Sequence, residues 1–458
     1  MFDAEQPARL GRETRIGNSS RHGSRWFCAG GLCNWVRWTI CLFGDLSGKT
    51  KSSIQTNKND RGRKMIKTTS ETWPGRAVLL VSHVAGLADL VVLPLWVGGL
   101  VQSHGFTSQQ AGLLVTLYIA GILASNLILG PRFDRVDGRL VAGLGFAVAA
   151  GCFLAMAQLD GLLVFTPLHL LAGLGAGAGL SCVHGTIGRS RNPHRLFALV
   201  NVGVGAFGIP FFAVVPHLMT QSGVAAVFIV LGSLMLAASV LSAIAFPHKL
   251  ESVTLAVVGE PERSPLDTRV MAFLGVVLLT SAQSAIFSFI ERVGSYDGFP
   301  AASVATMLAI AAFINLSAPA LAGLLQGRLS PTHVAACGMF LHGCASLIIT
   351  HATLFAVYAI AASTPVFLVV FSHVFMFGLI AKLDRSGHMA ALTPAMMMIG
   401  TAIGPFLGGS VVTGFGYPAL GITAAMLAWG AAACFVGVHL RTSGVETRSA
   451  DLSARLSA

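Results

Sequence analysis

The chain reads as an all-α membrane protein with twelve transmembrane helices arranged as two six-helix bundles. Three observations carry that expectation. Only 11% of the 458 residues are charged and 54% are hydrophobic, whereas a soluble domain carries about a quarter charged residues. The apolar residues gather into about twelve continuous runs of roughly the 20 residues that a bilayer-crossing helix needs. The basic residues concentrate in alternate loops, as insertion topology requires.

Residues 1–76 form a basic, polar extension whose one apolar stretch, from Trp26 to Gly44, is broken by Asn34 and Arg37. It reads as a disordered tail, as an interfacial segment anchored by Trp26, Trp35 and Trp38, or as an extension upstream of a start at Met65. It lacks the charged start, clean apolar core and cleavage site of a signal peptide.

Six spans follow over 77–247, at about 77–101, 111–130, 140–158, 162–187, 196–218 and 223–247. A polar linker, 248–269, holds Glu251, Glu260, Glu262, Arg263 and Asp267. Six more spans occupy 270–440, at about 270–293, 302–326, 333–350, 353–381, 389–413 and 418–440, before a tail at 441–458. None alternates apolar with polar residues, as strands of a membrane barrel would.

Loops after even-numbered spans carry Arg132, Arg135, Arg139, Arg189, Arg191, Arg195, Lys249, Arg263, Arg269, Arg328, Lys382 and Arg385; loops after odd-numbered spans carry only Arg292. Lys and Arg are retained on the cytoplasmic side, which puts both termini there; composition suggests a plasma membrane of the bacterial inner-membrane kind. The net charge of +11 therefore records topology and not a nucleic-acid surface. Cys152, Cys182, Cys337, Cys344 and Cys434 lie within spans and read as packing residues, with no disulfide framework or metal site implied.

The loop after the second span reads Gly130-Pro-Arg-Phe-Asp134-Arg135-Val-Asp137-Gly138-Arg139. It resembles the G-x-x-x-D-R-x-G-R signature of the major facilitator superfamily, with one extra residue, Asp137, before Gly138 and no second basic residue after Arg139. The resemblance covers about residues 77–440 and implies two pseudo-symmetric bundles that rock about a central site. It also implies a gating role for Gly130, Asp134, Arg135, Gly138 and Arg139; an ordinary positive-inside loop is the plainer reading. A partial second copy, Gly323 to Arg328, has no acid.

Span eleven contains Gly400, Gly404, Pro405, Gly408 and Gly409 in the spacing G-x-x-x-G-P-x-x-G-G. The family's antiporters are associated with this pattern in span five, where this chain has only Gly205, Gly208 and Pro210. Helix packing is the simpler reading. His169, Gly173 and Gly175 resemble the family's R-x-x-x-G-x-G with histidine in place of arginine, either a titrating group or a packing histidine.

Asp89 lies midway along the first span, ahead of Pro94 and Trp96. An ionised Asp at a helix centre costs roughly 2.5–3.5 kcal/mol on insertion scales, so Asp89 is the candidate for proton coupling, against a structural, hydrogen-bonded Asp. Gln283 has a comparable depth in span seven. With Tyr118, Asn126, His169, His184, Asn315 and His373 it makes the candidate lining of a sparsely polar cavity, though each also reads as interhelical glue. Glu291 and Arg292 read as an outer gate or as a salt-bridged helix end.

The expected function is a secondary transporter for a small organic solute, coupled to protons, embedded in lipid and complete as a monomer. Alternatives are a proton-coupled efflux antiporter for drugs or metabolites, and a non-transporting sensor with the same fold. An enzyme is not expected. The chain has no phosphate loop and no H-E-x-x-H helix, and Asp134 and Asp137 have no second acidic cluster with which to hold a metal diphosphate. No cofactor or metal is implied.

Overall fold

The computed structural model describes residues 69–247, 264–325, 327–383 and 388–457. The extension before residue 69, and the linker between 248 and 263, lie outside them. The first bundle consists of α1 (Trp73–Val91), α2 (Leu93–Ser103), α3 (Ser108–Leu129), α4 (Gly138–Met156), α5 (Leu162–Gly188), α6 (Pro193–Ser222) and α7 (Ala225–Ala245). The second consists of α8 (Leu266–Tyr296), α9 (Ala301–Asn315), α10 (Ala318–Leu325), α11 (Pro331–His351), α12 (Phe355–Leu383), α13 (His388–Phe415) and α14 (Tyr417–Ser457). Twelve stretches are long and apolar enough to cross a membrane.

Two expected spans are broken, and proline gives the reason in both. Pro94, in the first turn of α2, has no N–H to offer the preceding turn, and the helix is interrupted at Val92. Pro319 likewise stands at the start of α10, which separates it from α9 within the eighth span. The last helix outruns the expected tail boundary, continuing from its apolar part, Tyr417–Thr442, to Ser457.

Helix starts follow capping chemistry. Thr107 and Gln110 form a reciprocal capping box on α3, with Gln110 N donating to Thr107 Oγ1 at 3.2 Å and Thr107 N to Gln110 Oε1 at 3.0 Å. Asp137, the residue inserted in the signature, caps α4 by accepting from Arg139 N at 2.9 Å. At the arginine-poor end the chain reverses on Gly105, Gly161, Gly223, Gly298 and Gly416, all at positive φ, a backbone conformation costly for residues with a Cβ.

Within lipid, burial of apolar surface does not drive helices together, so close backbone approach does. Gly173 of α5 lies against the backbone of Tyr118 in α3, and Gly145 of α4 against Gly175 of α5. The two bundles meet in the same manner toward the arginine-poor end. Gly112 of α3 abuts the carbonyl of Pro405 in α13, and Gly409 of α13 abuts that of Ser108. Thr116 Oγ1 donates to Ala402 O at 2.5 Å, and Gln109 Nε2 to Ser410 Oγ at 3.2 Å. Gly205 of α6 packs against Leu316, just beyond α9, as a second seam.

Candidate functional site

Between the bundles lies a cavity of about 130 Å³. Leu90 and Leu93 close it from the first span; Thr280, Gln283, Ser284 and Phe287 from α8; Val369 and His373 from α12; Met397 and Thr401 from α13. Thr280, Ser284 and Thr401 spend their hydroxyl hydrogens on carbonyls of their own helices. Gln283 is tied to His342 of α11, with His342 Nε2 2.8 Å from Gln283 Oε1. His373 Nε2 is buried without a partner.

Asp89 neighbours this cavity in sequence but turns into the first bundle. It is 0% exposed, and neither carboxylate oxygen has a hydrogen-bond partner. The buried Tyr118 hydroxyl, also unpartnered, lies within electrostatic reach of it. Where α1 is interrupted, the main-chain carbonyl of Asp89 is taken by the Trp96 indole N–H at 3.4 Å. Trp96 faces the ring of His169 at 5.2 Å, and His169 Nδ1 is bonded to Phe165 O at 2.9 Å, leaving Nε2 buried and unpartnered.

The remaining sequence candidates scatter. His184 pairs with His83 of α1, Nε2 to Nδ1 at 3.1 Å, inside the first bundle. Asn126 accepts from Ser181 Oγ at 2.6 Å, joining α3 to α5. Asn315 ends α9, with its side-chain oxygen buried and unpartnered. Of the seven cavity candidates, Gln283 and His373 reach the central cavity. Sequence reasoning passed over His83 and His342; a histidine within an apolar run was the signal available for each.

At the arginine-poor end, Glu291 accepts from Ser295 Oγ at 2.7 Å, while its other oxygen and Arg292 Nε are buried without partners. Tyr358 donates to Ile290 O at 2.5 Å. Beyond the span, burial raises the Asp297 carboxyl above its usual range, with His351 opposing the shift. His104 and Asp160 pair there at 2.9 Å.

The signature loop folds as a short 3-10 helix, Gly130–Arg135. Its Phe133 ring fills the space above Gly185 and carries the Arg189 guanidinium 4.8 Å from its centroid. Gly138 faces the ring of Phe246. These contacts stay within the first bundle; the side chain of Asp134 lies outside the described residues. In span eleven, Gly400 and Gly404 admit Thr280 and Ser284 of α8, and Gly408 lies against Leu420 and Ala285, while Pro405 and Gly409 face α3. Among the described residues no group of three or more His, Cys, Asp or Glu could hold a metal ion.

Two helical bundles that meet around a small cavity, with a buried acid in the first span, define a polytopic membrane carrier. The family model described as Major Facilitator Superfamily matches residues 78–383, and the chain belongs to that superfamily. The Arabidopsis thaliana protein named "Probable anion transporter 4, chloroplastic" is 23% identical over 224 residues, a match spanning 45% of this chain and 42% of that protein. The fold also resembles a crystal structure of a bacterial homolog to the human lysosomal transporter Spinster, in an inward-facing and unoccupied conformation. That likeness has a TM-score of 0.56 at 12% identity and covers 81% of this chain and 96% of that one.

Proposed function

We propose that this transporter moves a small organic solute by alternating access and couples the movement to protons through Asp89. The observation that carries the reading is the burial of Asp89 with neither oxygen partnered. An ion in that setting lacks both water and a counter-charge, so a conformation that buries Asp89 favours its proton, and one that wets it favours release. Asp89 precedes the interruption at Val92 by three residues. A change in its protonation therefore acts on the bend of the first span and on Leu90 and Leu93, which close the cavity.

The arginine-rich end is read as cytoplasmic, with both termini there and the protein in a plasma membrane of the bacterial inner-membrane kind. The protein is read as working as a monomer surrounded by lipid. Uptake by symport and efflux by antiport use the same parts, and the assay assigns the direction.

The test is substrate-library flux in membrane vesicles of known orientation under an imposed pH gradient, comparing wild type with Asp89→Asn. Coupling through Asp89 predicts that the variant loses gradient-driven accumulation and keeps solute exchange. Accumulation equal to wild type would make Asp89 structural. A chain that moves no library solute by any mode would support the sensor alternative.

A further inference from the structure

His342 lies behind the cavity wall, 0% exposed, and contacts Gln283 through Nε2 while its Nδ1 lies 3.4 Å from Ser346 Oγ. A carboxamide oxygen can only accept, so the 2.8 Å contact to Gln283 Oε1 places the imidazole hydrogen on Nε2. With its oxygen engaged by His342, Gln283 has its NH₂ group left for the cavity, a group that can only donate. Among the described residues neither a carboxylate nor a Lys or Arg side chain lines the cavity. An ammonium group, a donor only, cannot bond to that NH₂ group, whereas a carbonyl or carboxylate oxygen accepts from it directly.

We propose that His342 is a positioning residue that fixes the Gln283 amide so that the central cavity recognises its solute through an acceptor oxygen, a carboxylate or carbonyl. The proposal rests on reading this cavity as the solute site. At about 130 Å³ it suits a compact polar group, being smaller than the roughly 300–1,000 Å³ of typical ligand pockets.

Two measurements on the full-length chain test it. In protein labelled with ¹⁵N-histidine, the signal lost in His342→Gln reports the wild-type tautomer. The Nε2-protonated neutral form is expected, and the Nδ1-protonated form would turn the amide around and overturn the proposal. The second reads maleimide labelling of Met397→Cys, resolved by peptide, in the presence of benzoate, benzamide or benzylamine.

Benzoate or benzamide should protect and benzylamine should not. Protection should weaken about tenfold in His342→Leu and in Gln283→Leu, the size of one lost hydrogen bond to a charged or carbonyl group. It should return in His342→Gln, which keeps an N–H donor. Stronger protection by benzylamine than by benzoate would refute the acceptor class while leaving the cavity as a solute site. Protection by none of the three would refute the cavity reading, and the proposal with it.

Discussion

The carboxylate of Glu291 in α8 rests on the backbone of Gly98 in α2, so that a Cβ at position 98 would run into Oε2. The second bundle thus places an acid where the first has no side chain. Overpacking costs about 1–3 kcal/mol, so Gly98→Ala should loosen the arginine-poor end. A cysteine at the buried Val293 position should then react with impermeant maleimide roughly tenfold faster. An unchanged rate would show that Glu291 yields without opening anything.

The Gln109 and Ser410 side chains bond across the bundles at 3.2 Å. Gly409, next to Ser410, lies against the Cα of Gln109, and a disulfide needs such close backbones, with Cα atoms about 4.4–6.8 Å apart; Gln109→Cys with Ser410→Cys should cross-link under mild oxidation. Solute flux should stop on oxidation and resume with reductant. Efficient cross-linking with undiminished flux would mean that this seam does not part during transport.

Asp137 departs from the signature pattern, and its place at the start of α4 gives it a structural task. Asp137→Ala should destabilise the protein by about 1 kcal/mol, the usual worth of an N-cap. Asp137→Asn, which can still cap, should remain close to wild type in thermal unfolding. Equal losses in the two variants would point to the charge rather than the cap.

Asp297 gives a pH-dependent prediction. Burial raises its carboxyl in the folded protein above the unfolded value of about 3.9. The folded state therefore holds the proton more tightly, and stability falls as pH rises through the folded pKa. Asp297→Asn should melt higher than wild type at neutral pH, with the gap narrowing as the pH falls through the folded pKa and gone below about 3.9. A gap that widens in acid would reverse the assignment.

The spans were legible because charge and length are written locally. Arg132, Arg189 and Arg328 mark one membrane face, and no tertiary contact is needed to read them. Asp89 stood out for the same reason, as an acid in an apolar run. Its direction did not, because whether a side chain faces the cavity or its own bundle depends on helix rotation, set here by contacts such as Gly86 on Leu180. His342 escaped notice because its meaning lies in a partner 59 residues away. The break at Pro319 was readable in principle, and apolarity alone ran through it.

The glycine turns also decide where the arginine-poor face can be altered. Five of its connections, at Gly105, Gly161, Gly223, Gly298 and Gly416, depend on left-handed backbone and are poor places to lengthen the chain. The sixth, between His351 and Phe355, has ordinary extended backbone at Ala352 and an exposed Leu354. An epitope tag or fluorophore attachment site belongs there, where it would report which side of the membrane this face occupies without disturbing a turn.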